Sequence, residues 1–224
     1  MTDFSRDPDS NLSAARAQRY RGVLFEQGTP VLDRDLNLLG DLVDAAVRDV
    51  LRRYAGDGLV GSPEAFEVTL SPSQASWKKA KLRGPGTMLV GGREITISQP
   101  VVYDEQLDLR SERSSLLAMW EKLWSRTLGE SEKQALRDLL LGDGDAEDVP
   151  DDASEVLLYL DVWDTIIDAA LDPTLANPED VGVQTSRRRL SVWRVRATTG
   201  TSLPEAPRGH EFVRLAAIKA ARRG

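Results

Sequence analysis

Residues 156–163 read VLLYLDVW, an apolar run interrupted by a single aspartate. A run of this length and composition is typical of a strand that is buried on both faces. Two later segments extend the pattern. Residues 190–196, LSVWRVR, alternate between apolar and polar side chains, and residues 212–219, FVRLAAIK, have the composition of a final strand. The sequence therefore predicts a C-terminal β region over residues 156–224.

An acidic loop and a pair of helices precede this β region. Seven of the fourteen residues in 142–155 are acidic, which predicts a solvated loop. Residues 105–141 have a helical period, with a second helix at 130–141 that follows Gly129. The apolar stripe of the first helix consists of Leu116, Leu117, Trp120, Leu123 and Trp124. We expect a helical hairpin inserted between β segments.

Residues 56–104 have the pattern of short β-strands. Gly91 and Gly92 lie between two apolar segments, which is a strong signal for a two-residue hairpin. Prolines punctuate the region, as sheet edges and turns require. The predicted strands are residues 66–70, 77–82, 87–90 and 93–97.

The N-terminal segment is polar before it becomes amphipathic. Residues 1–19 are rich in Asp, Ser and Arg and are expected to form a surface arm. Residues 21–33 have the pattern of two short strands around a turn at Gln27-Gly28. A helix is then predicted from about Leu36.

This long helix has a strongly amphipathic pattern. Asp33 or Asp35 can cap its first turn, and it is expected to run to about Tyr54, with Gly56 as its stop. Its 3-4-3-4 apolar stripe is Leu36, Leu39, Val43, Ala46 and Val50, widened by Val47, Leu51 and Tyr54. The stripe either packs on the chain's own sheet or packs against a neighbouring copy, because this spacing is also that of a seam between helices.

These elements predict an α+β fold with mostly antiparallel β segments, one long N-terminal amphipathic helix and an inserted helical hairpin. Residues 20–224 are expected to form one folded unit. The predicted segments are the arm 1–19, a helix and β-hairpin region 20–104, the helical hairpin 105–141, the acidic loop 142–155 and the β region 156–224.

The composition excludes several kinds of chemistry. The 224 residues include no Cys and one His, so disulfides, iron–sulfur clusters, thiol nucleophiles and multi-His metal sites are excluded. The net charge of −7 argues against a nucleic-acid partner. The N-terminus does not resemble a signal peptide, and no apolar run is long enough to span a membrane. We expect a cytoplasmic protein with no membrane partner, which stays there or leaves inside a larger assembly.

Two short motifs resemble ligand sites without meeting their requirements. Residues 56–61 match G-x-G-x-x-G, but they follow a helix and precede β sequence, whereas the dinucleotide motif must follow a strand and open a helix. Residues 143–154 begin with calcium-loop spacing but have Asp148 where a glycine is needed and Ser154 where a bidentate glutamate is needed. We therefore expect no cofactor and no metal.

Other titratable groups have ordinary interpretations. His210 lacks a serine partner of the G-x-S-x-G type and is interpreted as an ordinary loop residue. The acids Asp161, Asp164 and Asp168 are expected at strand ends, paired with the arginines of 187–189. As an alternative, these carboxylates could serve a small glycan-binding or glycan-hydrolysing module, which needs two carboxyls facing across a cleft.

A longer stretch resembles a known group of proteins. Residues 22–37, GVLFEQGTPVLDRDLN, resemble a signature of phage-tail-like proteins encoded in bacteriophage tail and contractile injection system clusters. That pattern is a short strand, Gln-Gly or Pro-Gly, a second strand ending in Leu-Asp, and Asp-Leu-Asn opening a helix. Residues 3–7 resemble the N-terminus of this family, and residues 159–163, 185–187 and 192–195 resemble later segments of it.

The resemblance implies a bacterial particle component and not an enzyme. We expect a structural subunit, an adaptor in the baseplate, spike or cap region, that forms a homo-oligomeric ring. Its partners would be sheath, tube, spike or baseplate proteins. The candidate assembly contacts are Phe4, Phe25, Leu36, Leu39, Val43, Val47, Val50, Trp120 and Trp124.

Overall fold

The structure is a computed structural model that describes residues 8–62, 64–70, 76–106, 115–123, 125–141, 149–169, 171–172, 175 and 187–219. The fold is α+β, with helices and antiparallel sheets. The chain divides into two units, residues 1–56 and 57–224. The expectation that residues 20–224 form one folded unit is therefore corrected. The long amphipathic helix belongs to the first unit because it packs on a helix that precedes it in sequence.

The first unit is built from two helices, α1 (Pro8–Ala17) and α2 (Asp33–Tyr54). Arg16 of α1 donates to Asp49 of α2 at 2.8 Å. The small and apolar side chains buried in this unit are Ala15, Leu42 and Ala45. Small side chains let two helix backbones approach closely, so α1 covers one face of α2. Part of the expected surface arm is therefore helical.

One local prediction for this unit is wrong. A turn does form at Gln27-Gly28, where Gly28 has a φ of +81° and the Thr29 hydroxyl donates to the Glu26 carbonyl at 2.8 Å. However, residues 20–32 contain no strands, because a two-stranded hairpin without a sheet beneath it is only marginally stable. The N-cap residue of α2 is Leu32, which makes no side-chain cap, and the carboxylate of Asp33 accepts from the first-turn N–H of Arg34 at 2.8 Å.

The second unit is centred on the sheet that the opening stretch predicts. The central strand β7 (Glu155–Ile167) is flanked by β8 (Arg188–Thr199) and β9 (Glu211–Lys219), both antiparallel to it. Every residue of 156–163 in β7 is buried, which confirms the buried strand. A register shift between Leu158 and Tyr159 bends the pairing with β9.

Two smaller antiparallel sheets lie in the same unit. In the first, β4 (Gly86–Val90) and β5 (Arg93–Ile97) form the hairpin predicted at the two glycines. Gly91 and Gly92 both have positive φ, as a two-residue turn requires. β1 (Leu59–Val60) pairs with the outer side of β4.

The second small sheet corrects one predicted strand. It contains β2 (Val68–Thr69), β3 (Lys81–Leu82) and β6 (Val101–Val102). Residues 77–82 form a strand only at their end, because Trp77–Lys79 is a short 3-10 helix whose first turn is capped by Ser76. The Trp77 ring packs on Tyr103, at 4.9 Å between centroids.

Both helices of the predicted hairpin are present, as α3 (Ser115–Leu123) and α4 (Glu130–Leu141). The backbone N–H of Gly129 donates to Glu132 at 2.8 Å, so the side chain of Glu132 caps the start of α4. This bond and the neighbouring Arg126 lower the pKa of Glu132. The two helices and the sheets share one core, whose fully buried members include Ile97, Leu116, Leu136, Leu158, Leu160 and Val162.

On the side of β8 that faces away from β7, the backbone groups of Val195 are hydrogen-bonded by a side chain. The amide of Gln106, which is 1% exposed, donates to the carbonyl of Val195 at 2.6 Å and accepts from its N–H at 3.0 Å. It thus makes the pair of hydrogen bonds that another strand would make.

Replacing Gln106 with Ala should destabilise the second unit by about 2–4 kcal/mol, because two buried backbone groups lose their partners. Urea unfolding followed by tryptophan fluorescence measures the loss. Gln134→Ala is the matched control, since the side chain of Gln134 is not buried and bonds Asp138 within α4 at 2.7 Å. Equal unfolding midpoints for the two variants would contradict the role of Gln106.

Candidate functional site

The helix α2 has two opposite apolar faces, and α1 covers one of them. Leu42 and Ala45 on the covered face are less than 9% exposed. The other face has five apolar side chains, Leu36, Val43, Val47, Val50 and Tyr54, which are 53, 58, 52, 55 and 79% exposed. We call these five residues the α2 stripe.

The α2 stripe is narrow and straight. At about 100° per residue, its five members fall within roughly 60° of arc around the helix. Ala45 lies on the opposite side, towards α1. Because the stripe runs over most of the 22-residue helix, it has a length of about 30 Å. A stripe of this shape is what one helix presents to another.

Further apolar side chains of the same unit are exposed beside α2 in sequence. Ten of the thirteen large exposed hydrophobic residues in the described part of the chain lie within residues 1–56. Those outside α2 are Tyr20, Leu24, Phe25, Val31 and Leu32. Single exposed apolar residues are normal, but a concentration of this kind marks an interaction surface.

The structure places the predicted contact residues in different environments. Phe25 and four members of the α2 stripe (Leu36, Val43, Val47, Val50) are exposed, and Leu39 is half-buried. Phe4 and Trp124 lie outside the described residues. Trp120 is 3% exposed and packs in the core, which corrects its assignment as a subunit contact: its side chain has no surface left for a partner.

The carboxylate of Asp161, which the glycan alternative would use, is enclosed in a buried ionic cluster. Asp161 is 0% exposed and lies in the middle of β7, not at its end. Its Oδ2 accepts from Nε of Arg196 at 2.5 Å, and its Oδ1 accepts from Nδ1 of His210 at 2.7 Å. Both oxygens therefore accept hydrogen bonds, one from a side chain of β8 and one from a side chain of the turn before β9.

His210 has a structural role that the sequence did not indicate. It lies in the turn before β9, where its N–H donates to the Pro207 carbonyl at 3.0 Å. Its ring stacks on Trp163, with 5.0 Å between centroids and 15° between planes. The interpretation of an ordinary loop residue is therefore corrected. Asp161 and His210 are 49 residues apart, and only the strand pairing brings them together.

A second buried arginine extends the cluster. Arg194 lies directly opposite Asp161 on β8, and its Nη1 donates to the Leu140 carbonyl at 3.1 Å. Burial lowers the pKa of Arg194 to about 10, and the positive charge of Arg196 acts in the same direction. Burial also raises the pKa of Tyr103. The polar contacts of the cluster join β7, β8, α4 and the turn before β9.

The carboxylate of Asp164 is also engaged. It accepts from Nη2 of Arg93 at 3.2 Å and from the Ser191 hydroxyl at 2.7 Å. Asp168 is half-buried in a turn after β7, where its backbone carbonyl accepts from the N–H groups of Leu171 and Asp172. The structure therefore does not place two exposed carboxyls of this set across a cleft.

The described residues contain no group of three or more His, Asp or Glu side chains that could hold a metal ion. None of the helices in the described ranges is long and apolar enough to cross a membrane. The three candidate calcium-loop acids of residues 143–147 lie outside the described residues. No family model matches this chain, and neither a curated protein nor a solved structure matches it.

Proposed function

We propose that this protein is a structural subunit of a phage-tail-like contractile injection particle, an adaptor of its baseplate, spike or cap region. The observation that carries the proposal is the α2 stripe, an apolar helix face that none of the described residues 8–56 covers. An assembly subunit binds its neighbours through a surface of this kind. The proposed partners are further copies in a ring and the sheath, tube, spike or baseplate proteins.

The energetics of the stripe favour a role inside a large assembly. Fully burying a valine or leucine side chain contributes about 1.5–3 kcal/mol, so the half-exposed members can each gain about 1 kcal/mol. Five such gains are comparable to the cost of association, which is about 4–15 kcal/mol. One stripe alone therefore supports weak binding. Closed symmetric assemblies multiply weak contacts, which suits a subunit that is incorporated at high local concentration.

The sequence resemblance and the apolar surface occur in the same unit. The signature-like stretch 22–37 includes Leu24, Phe25, Val31 and Leu32, all exposed, and continues into the first turn of α2. In the second unit, the similar stretch 159–163 is central β7, which is buried scaffold. This division supports a particle component whose first unit makes contacts and whose second unit supports them.

The proposal is tested in the cells that encode the gene. A tagged copy of the full chain is expressed, and released or intracellular particles are isolated on a density gradient. We expect the tagged chain in the fraction that contains sheath and tube proteins, at a constant ratio to them. If the chain remains in the light, particle-free fractions while intact particles sediment, the proposed function is wrong.

A further inference from the structure

The exposed face of α2 has a regular spacing that includes a glycine. Adding Gly40 to the α2 stripe gives positions 36, 40, 43, 47, 50 and 54, whose spacings are 4, 3, 4, 3 and 4. This alternation is the heptad spacing of two helices that pack side by side. The spacing predicted from the sequence is 36-39-43-46-50. In the structure, positions 40 and 47 replace 39 and 46, because Leu39 and Ala46 lie at the flank of the exposed face.

Gly40 has no reason within its own unit to be a glycine. It lies inside a regular helix, where glycine is less favourable than alanine by about 1 kcal/mol. A Cβ added at Gly40 would meet no atom within 4 Å, so the chain itself does not require the missing side chain. A missing side chain on an exposed apolar face instead provides space for a group that comes from outside the chain.

We propose that α2 pairs antiparallel with α2 of a second copy of this chain, about a two-fold axis near residue 45. In this register Leu36 of each copy packs against Tyr54 of the other, and Val43 packs against Val47. Gly40 faces Val50, so the smallest position of the seam meets a branched side chain. A parallel pair would instead place Gly40 on Gly40 and leave a gap, while Tyr54 on Tyr54 would be crowded.

The charges of the helix favour the same direction. Asp33 and Asp35 lie in the first turn of α2, where Arg34 pairs with Asp35 at 3.5 Å, and Arg53 lies in the last turn. Antiparallel pairing brings the acidic end of each helix beside the basic end of the other, and it also opposes the two helix dipoles. Parallel pairing would bring like charges together. Asp44, which lies beside the proposed axis, is paired with Arg48 of its own helix at 2.9 Å.

A self-complementary surface of this kind produces a closed two-fold contact between copies. The inference rests on the proposed function only in that both need the α2 stripe to be a contact surface. It specifies that the occupant is a second α2, where the proposed function requires only a particle partner.

Disulfide trapping tests the direction of pairing, because the chain has no native cysteine. The full chain is made as two single variants of different tag size, Leu36→Cys and Tyr54→Cys, which are mixed and mildly oxidised. We expect mainly the mixed dimer of 36 with 54. In an antiparallel pair, the two copies of residue 36 are about 27 Å apart, and so are the two copies of residue 54. This is because positions 36 and 54 are 18 steps apart along the helix, at about 1.5 Å per step.

The matched control pair is Arg34→Cys with Arg52→Cys, two exposed positions on the α1 side of the same helix. A mixed-dimer yield no higher than that of the control overturns the inference, and so does a majority of like-with-like dimers. Either result leaves the particle experiment unaffected, so failure of the self-pairing and failure of the proposed function are distinguishable.

Gly40→Leu separates pairing from helix stability. Leucine is the better helix former, so the thermal midpoint of the dilute chain should stay the same or rise. Because the new side chain fills the space opposite Val50, the dimer dissociation constant measured by sedimentation should rise at least tenfold. An unchanged or lower dissociation constant would show that a more apolar stripe associates without the proposed register, and would overturn it.

Discussion

Val47→Asp should remove the protein from the particle fraction and weaken its association with any partner of the α2 stripe at least a hundredfold. Val47 is 52% exposed and lies near the centre of the stripe. A carboxylate there must be desolvated without a partner when the surface is covered, and an unpaired buried charge costs several kcal/mol. A hundredfold change corresponds to about 2.8 kcal/mol, well within that cost.

The fold of the variant chain should be unaffected, since exposed substitutions usually change stability by less than about 0.5 kcal/mol. Circular dichroism checks the fold, and sedimentation equilibrium and the density gradient measure association. Asn37→Asp is the matched control: it adds the same charge at another exposed position of α2, outside the stripe. If both variants enter particles as the unaltered chain does, the stripe is not an assembly contact.

Asp161→Asn should destabilise the second unit by about 3–5 kcal/mol. The substitution keeps the shape of the side chain but removes the charge that compensates Arg196, which is only 8% exposed. Breaking a buried ion pair at one partner leaves the other charge uncompensated, and this accounts for the size of the loss. The hydrogen bond from His210 is also weakened, because a neutral amide is a poorer acceptor than a carboxylate.

Urea unfolding measures the effect of Asp161→Asn. The matched control is Asp151→Asn, because Asp151 pairs with Lys78 while its side chain is 72% exposed, and such pairs contribute less than about 1 kcal/mol. Where the single variant is recovered unfolded, the double variant Asp161→Asn with Arg196→Gln should recover part of the lost stability, since the charge of Arg196 is removed together with that of its ion-pair partner and only the buried Arg194 stays charged. Equal midpoints for Asp161→Asn and Asp151→Asn would contradict the account.

The elements that could be predicted are those with a strong local period. The buried run at 156–163, the Gly91-Gly92 hairpin and the helix that ends at Tyr54 are all present, because hydrophobic spacing and glycine turns act over a few residues. The predicted strands of residues 21–33 failed for a non-local reason. Strand composition produces a strand only where another strand is available to pair with it.

The candidate site was only partly predictable. The spacing of α2 left open whether its stripe packs on the chain or on a neighbour, since both produce the same pattern. The structure shows that α1 covers the Leu42 and Ala45 face instead, so the predicted stripe remains exposed. Aromatic residues are common both in cores and in contact surfaces, so the sequence did not distinguish the two for Trp120. Its burial became evident only from the packing of the core.

The sequence by itself determined the fold class, the positions of the long helix and of the central strand, and the exclusion of thiol and multi-His chemistry. Only the tertiary structure decided which face of α2 is left exposed, and that Asp161, Arg196 and His210 form one buried cluster. The physical reason is the distance along the sequence over which each property is set. Periodicity and residue counts are properties of neighbouring residues, whereas burial and ion pairing depend on groups brought together from distant parts of the chain.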